Sequence, residues 1–215
     1  MTQPKPTVKP KRSYDSSRRQ EQAQRNRDRI LDASERRFLG DGYATTTVAT
    51  IAVEAGVSAD TIYKTFGGKP GLVRAIRTRA LAGEGTTPAE QRSDALHEHE
   101  SDPRKIIEAW GRRTTEVMPR VAPILLLIHA AAATDPEVGV LAEEMDTDRF
   151  HRMTLNARRL HDSGHLKDGM TVARASDVLW TYSAPELYEL LVLRRGWSRE
   201  RYGGFVADAL IHALL

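Results

Sequence analysis

Residues 45–72 read TTTVATIAVEAGVSADTIYKTFGGKPGL. Thr46 or Thr47 can cap a short helix that buries Val48, Ile51 and Ala52 and runs to about Ala55. Gly56 then stands where a left-handed backbone costs least after a helix end. Ser58 caps a second helix, and Val57 with Ile62 forms the apolar pair of a hydrophobic staple. Turning at about 100° per residue, this helix points Ile62 and Phe66 inward with Ala59 on the flank. Asp60 and Lys64 point outward, between Thr61 and Tyr63. Gly67 and Gly68 stop the helix, and Lys69-Pro70 opens another that continues to about Ala82. Two short helices joined by a tight turn, the second apolar behind and hydrogen-bonding in front, are the grammar of a DNA-reading helix-turn-helix.

The residues before this stretch extend the unit. From about Gln20 to Leu39, Ile30, Ser34 and Phe38 share one face, widened by Leu31 and Ala33, which predicts a helix closed by Gly40 and Gly42. Arg25, Arg27, Arg29, Arg36 and Arg37 cover its remaining surface. Residues 1–19 hold three prolines, many cations and almost no large apolar side chain, and read as a disordered basic arm. Such an arm adds phosphate attraction, enters a minor groove, or serves only solubility. Residues 1–80 carry 16 Lys+Arg against 8 Asp+Glu, whereas residues 81–215 carry 16 against 21. A polyanionic partner is therefore expected for the first part only.

The rest reads as helix, with neither strand alternation nor an internal repeat, so the expected class is all-α. The break GEGTTP at 83–88 suggests a boundary between a DNA-binding domain at 20–82 and a helical domain at 83–215. A polar and mobile helix is expected at 89–100. Asp102-Pro103 starts a helix to about Met118, interrupted at Pro119 and Pro123, and the all-round apolar run 124–133 predicts a separate buried helix. Further helices are expected at 137–161, at 171–195 with a kink at Pro185, and from Ser198 to the end. In the last, Tyr202, Val206, Ala209, Leu210, Ala213 and Leu214 make an apolar stripe.

Several chemistries are not expected. The 215 residues include no cysteine, which excludes disulfides, thiolate metal sites and a cysteine nucleophile and fits a reducing cytosol. No apolar N-terminal run reads as a secretory signal. The longest apolar stretch, 121–133, falls short of the ~20 residues of a membrane span, so a cytoplasmic protein without membrane contact is expected. There is no GxSxG, P-loop or dinucleotide fingerprint, hence no expected enzyme activity or cofactor. His97 and His99 diverge on a helix and Gly164 separates His161 from His165, so no metal site is expected. Glu143, Glu144, Asp146 and Asp148 read as a solvated face.

Over residues 25–80 a set of residues resembles, in order and spacing, the tetracycline-repressor (TetR) family of bacterial regulators. It comprises Arg29-Ile30-Leu31-Asp32-Ala33, Phe38, Gly42-Tyr43, Thr46-Thr47-Val48, Ile51-Ala52, Ala55-Gly56-Val57-Ser58, Thr61-Ile62-Tyr63, Phe66, Lys69 and Leu72. The tail, with Asp177, Trp180, Gly196-Trp197-Ser198 and Leu214-Leu215, is similar to the C-terminal domain of some members. Asp60 departs from the small residue common at its position, Thr65 from His or Tyr, and Pro70 from an acid. The resemblance implies an N-terminal three-helix DNA-binding domain and a C-terminal helical domain for effector binding and dimerisation. It further implies a homodimer that leaves a pseudo-palindromic operator when a small molecule binds. The alternative is a constitutive regulator or activator without an effector.

The implied DNA-contacting set is Thr46, Thr47, Ser58, Ala59, Asp60, Thr61, Tyr63, Lys64 and Lys69. Thr47, Tyr63 and Lys69 would hold phosphates, and residues 58–61 with Lys64 would face the major groove. There Lys64 could donate to guanine, Asp60 accept from a cytosine amine, and the Ala59 methyl touch thymine. The plainer reading of Asp60 and Lys64 is a surface ion pair worth about 0.2–0.5 kcal/mol. Candidate ligand-lining residues are Trp110, Arg113, Met118, His129, Phe150, Met153, Trp180 and Tyr182, any of which could instead be plain core. The stretches 187–193 (Leu187, Leu190, Leu191, Val192, Leu193) and 206–215 (Val206, Leu210, Leu214, Leu215) are the expected two-fold interface, or else an internal hairpin.

Overall fold

The structure is a computed structural model that describes residues 14–83 and 87–215. Within these, α1 (Tyr14–Asp41), α2 (Val48–Ala55), α3 (Ala59–Phe66) and α4 (Lys69–Ala82) build the head. The body comprises α5 (Ala89–His99), α6 (Pro103–Ala132), α7 (Pro136–Asp162), α8 (Val172–Tyr182), α9 (Pro185–Tyr188), a π-helical segment (Glu189–Arg194) and α10 (Arg199–Leu214). Among the described residues there is no strand.

The head forms where its sequence places caps. Thr47 and Thr50 close a reciprocal capping box on α2, and Gly56 (φ 65°) turns the chain while its N–H reaches the Ala52 and Val53 carbonyls. Ser58 Oγ accepts the Thr61 N–H at 3.1 Å, starting α3 after only three intervening residues. Ile30, Phe38, Ile51, Ile62, Leu72 and Ile76 fill the space between the four helices. One expectation fails at the start. Residues 14–19 belong to α1, not to a disordered arm, whereas residues 1–13 of that arm lie outside the described residues. The exposed beginning of α1 carries i,i+4 pairs, Gln22–Asn26 at 3.0 Å, Gln24–Asp28 at 2.9 Å and Glu21–Arg25 at 3.2 Å.

The body is organised around α6, which packs against α4, α7, α9 and α10. The expected interruption does not occur: α6 is one 30-residue helix running through Pro119 and Pro123. Proline removes an amide donor and crowds the preceding turn. Here Met118, Val121, Ala122, Ile124 and Leu125 are buried around both prolines, so tertiary packing holds the helical path. By length and composition α6 is long and apolar enough to cross a membrane, unlike the shorter run considered alone. In this fold it is the central helix of the bundle.

At the α6–α10 crossing, glycines let the backbones meet. A Cβ on Gly111 would lie 2.5 Å from the Gly203 carbonyl oxygen, and one on Gly203 would lie 2.5 Å from Thr115 Cγ2. The expected kink at Pro185 is a break instead: α8 ends before Ser183, α9 restarts at Pro185, and the chain then widens into the π-helical turn. Residues 84–86 of the expected boundary lie outside the described residues. The buried side chains from Ile30 to Leu214 form one connected core, with α4 packed on both α1 and α6.

Candidate nucleic-acid interface and ligand cavity

The outward face of α3 is dense in polar groups at short range. Lys64 Nζ lies 2.7 Å from Asp60 Oδ2, with both side chains mostly in solvent. Ser58 and Thr61 hydroxyls are 2.8 Å apart, Tyr63 is exposed, and Ala59 is half-buried on the flank. Thr47 is exposed, and its hydroxyl serves the α2 cap. Lys69 donates to the Tyr43 carbonyl at 2.8 Å and lies 4.3 Å from that ring's centre. Partial burial draws its pKa down from the usual lysine range. Its remaining N–H donors stay available to a phosphate.

Thr46 does not belong to this face. It is buried, and its hydroxyl donates to the carbonyls of Arg37 at 3.1 Å and Gly42 at 2.7 Å. It ties the end of α1 to the start of α2, so its contribution is to the corner rather than to an exposed contact. The same junction is braced outside by Arg36 and Arg37, which both grip Glu54 of α2. Those two arginines hold the Glu54 carboxyl below its usual range, Arg37 first.

The helices α4, α5, α6, α7, α8 and α10 line an open cavity of about 690 Å³. This volume falls within the ~300–1,000 Å³ of small-molecule sites. Of the candidate residues, Trp110, Arg113, Met118, Met153 and Tyr182 line it. His129, Phe150 and Trp180 do not line it. His129 points at carboxylates instead, with Nδ1 2.7 Å from Glu186 and Nε2 3.5 Å from Asp146. Phe150 and Trp180 pack edge to face on the outside, their ring centres 6.3 Å apart and both rings partly in solvent.

Sequence reasoning missed the cavity's polar wall. Arg77 reaches Asp148 at 2.8 Å, and Arg152 bridges Glu90 at 2.9 Å and Asp94 at 2.6 Å. Arg149 donates to the Trp180 carbonyl at 2.6 Å and to Ser183 Oγ at 3.1 Å. Trp110 Nε1 donates to Ser93 at 3.1 Å. The available signal was the spacing on α7, where Met145, Arg149, Arg152 and Asn156 follow one another at helical intervals. Of the nearby carboxylates, Glu143, Glu144 and Asp148 are exposed, in keeping with a solvated face, but three of the four are also paired. Glu144 binds Arg74 through both oxygens, Asp148 binds Arg77, and Asp146 binds Arg149 at 3.1 Å, so these acids clamp α7 to α4 and to itself.

The expected two-fold surface divides. Val206, Leu210, Ile211 and Leu214 are consumed inside the chain, where α10 packs on α6, because that stripe is the one facing the core. Leu190, Leu193 and Phe205 remain substantially exposed. Trp197 stands edge-on to Phe205 at 5.6 Å under the Arg201 guanidinium at 3.9 Å, continuing the patch.

Residues 30–76 match the model of the bacterial regulatory proteins, tetR family. In its head the chain matches the TetR family. The HTH-type transcriptional regulator TtgR of Pseudomonas putida is 46% identical over 59 residues, 27% of this chain and 28% of TtgR. The match thus spans less than a third of that relative's length. Likeness of the whole fold extends further. The structure of NalD, named as the secondary repressor of the MexAB-OprM multidrug efflux pump in Pseudomonas aeruginosa, superposes with a TM-score of 0.69 at 20% identity. It covers 90% of this chain and 98% of NalD. A complex of SmeT with triclosan superposes with a TM-score of 0.67 at 23% identity, covering 88% and 91% of the two chains. The TetR-family head is therefore joined to a body of the same all-α fold as theirs.

Proposed function

We propose that the chain is a dimeric, sequence-specific transcriptional repressor that leaves its operator when a small molecule fills the body cavity. The observation that carries this reading is the position of α4. Its Arg77 and Leu81 line the cavity. Its Arg79 binds Asp32 and Glu35 of α1 at 2.7 Å each. A ligand that favours a different seat for α4 against α7 moves α1, and with it the reading helix. The shift is limited by the ligand's differential affinity for the two seats.

On DNA, Tyr63, Thr47 and Lys69 fix the phosphates, while Lys64 and its neighbours on α3 read base edges. The patch of Leu190, Leu193, Trp197 and Phe205 pairs with its two-fold copy and sets the two heads against half-sites about 34–36 Å apart. Residues 20–82 thus act as the DNA-binding part, and 83–215 as the effector-binding and dimerisation part. SmeT, with triclosan bound, supports a small molecule as the trigger.

The test is fluorescence anisotropy with DNA fragments from upstream of the gene and its neighbours, run at several salt concentrations. The expected result is a saturable, salt-sensitive complex with one fragment, dissolved by a compound that also raises the melting temperature. Equal affinity for all fragments would overturn the sequence-specific reading.

A further inference from the structure

The proposed function leaves the chemistry of the trigger open, and the cavity wall carries information on it. Four arginines line the space, Arg77, Arg113, Arg149 and Arg152, against two carboxylates, Glu90 and Asp148. Three of the four are engaged: Arg77 by Asp148, Arg152 by Glu90 and Asp94, and Arg149 by Asp146. Both lining carboxylates are thus already bound to arginines. Among the described residues no carboxylate makes an ion pair with Arg113, and Glu116 acts on it only at longer range. Its one hydrogen bond is Nη1 to the Ala89 carbonyl at 3.0 Å, and its Nε is buried with no acceptor. A guanidinium presents five N–H donors in one plane, so most of this fork is unused.

A half-buried cation with no carboxylate in direct contact is costly, and burial first, then neighbouring Arg92, draws the Arg113 pKa down, only partly offset by the more distant charge of Glu116. On its own helix the cavity wall is apolar, with Val117, Met118 and Trp110, and the Trp110 N–H is spent on Ser93, while across the cavity Asn156 Oδ1 and Arg149 Nε are the other buried polar atoms left unsatisfied. Arginine is the residue suited to a planar, two-oxygen anion in such a place.

We infer that the effector is an amphipathic organic anion, whose carboxylate or similar oxyanion sits on the Arg113 fork while its apolar body fills the cavity. This rests on the cavity being the effector site, and it adds the sign of the ligand's charge and the side chain that reads it. A neutral ligand would leave the guanidinium as it stands. A cationic one would be opposed by it.

The experiment is isothermal titration and thermal shift on the full chain without DNA, so that the readout is independent of operator release. The probes are dodecanoate, dodecanol and dodecyltrimethylammonium, and in parallel naphthoate and naphthamide. The expected result is that one or both carboxylates bind at least about tenfold more tightly than their neutral counterparts, about 1.4 kcal/mol. In Arg113→Gln this preference disappears while the weaker neutral binding persists, and Arg113→Lys restores part of it. Persistence of neutral binding marks the variant as folded with its cavity intact. Equal binding of carboxylate and neutral probe would overturn the inference and leave the cavity as an effector site. So would a carboxylate preference that survives in Arg113→Gln. Binding of no probe of any charge would overturn both the inference and the effector role of the cavity.

Discussion

The head and the body reach the same helical end by different means. In the head, each turn is dictated within a few residues: Thr47 with Thr50, Gly56, Ser58 with Thr61, then Gly67. In the body, the decisive interactions join residues far apart in sequence, such as Gly111 against Gly203, Arg152 against Asp94, and Arg74 against Glu144. A locally written unit can keep its shape while its partners vary. A unit held by distant contacts can be re-cut into a different cavity by a few substitutions. That division suits the proposed pairing of a head with one kind of target and a body with its own ligand.

The largest effect should come from the α6–α10 crossing. Gly111→Ala would place a Cβ 2.5 Å from the Gly203 carbonyl oxygen and 2.8 Å from the Ala207 Cβ. Alanine gains about 1 kcal/mol from helix propensity, and overpacking outweighs it. Denaturant unfolding should show a net loss of about 2 kcal/mol, at the upper end of overpacking costs less the propensity gain, with widened separation of the two helices in a crystal structure. A loss near zero would mean the crossing has slack, and the body would then be less dependent on distant contacts than the head comparison holds.

The next effect is electrostatic and also confined to the body. Burial raises the Asp94 pKa, but hydrogen bonds from Arg152 and Arg159 outweigh it and hold the carboxyl at about 2, below its ordinary 3.8. A depressed acid stabilises the fold above its unfolded pKa, and the contribution is lost as pH falls from about 4 through 2. Allowing for partial exposure, the gain is about 1–2 kcal/mol. Stability measured from pH 7 to pH 2 should therefore fall less steeply in Asp94→Asn than in the parent chain. At neutral pH the variant should be weaker by that amount, since Arg152 and Arg159 lose their charge partner.

These contacts also mark where the sequence ceases to be legible. Caps and glycines announce α2, α3 and α4 because the physics that starts and stops them lies inside a window of a few residues. Pro119 and Pro123 mislead for the converse reason: local propensity says stop, while Met118, Val121 and Leu125 are buried by partners that the window does not contain. Trp110 and Met118 could be placed in the cavity from their type, but so could Trp180, which faces outward beside Phe150. Side-chain type states a preference for burial, and only the topology states which surface does the burying. Thr46 is a smaller version of the same lesson. Its neighbour Thr47 is the N-cap, and one step along the chain separates an exposed hydroxyl from one buried against the Arg37 carbonyl.

A smaller effect tests the local side of the comparison. Ser58→Ala removes the acceptor for the Thr61 amide at the start of α3. The expected cost is about 1 kcal/mol in unfolding free energy. Hydrogen exchange should localise the loss to the α2–α3 turn, leaving protection of α6 and α10 unchanged. Loosening that spreads through α6 would mean that the head is not self-specified and draws its order from the body through α4.

The smallest effect on stability should coincide with a large effect on recognition, at the pair Asp60–Lys64. Their side chains touch at 2.7 Å in solvent on successive turns of α3. A double-mutant cycle with Asp60→Ala and Lys64→Ala should give a coupling of only about 0.2–0.5 kcal/mol in unfolding. The same variants separate two roles for Lys64 on DNA. If it donates to a guanine edge, Lys64→Ala lowers discrimination between operator variants by about 1–3 kcal/mol at one base position. If it holds a phosphate, affinity falls evenly across sequences and the salt dependence becomes shallower. The ion pair sharpens this choice, because Lys64 must exchange Asp60 for DNA or carry it into the groove. In the first case Asp60→Ala tightens binding without changing preference, and in the second it erases a preference for cytosine beside the lysine's contact. The helix is set by its caps in either case, and what Lys64 can offer to DNA depends on which way this one carboxylate turns.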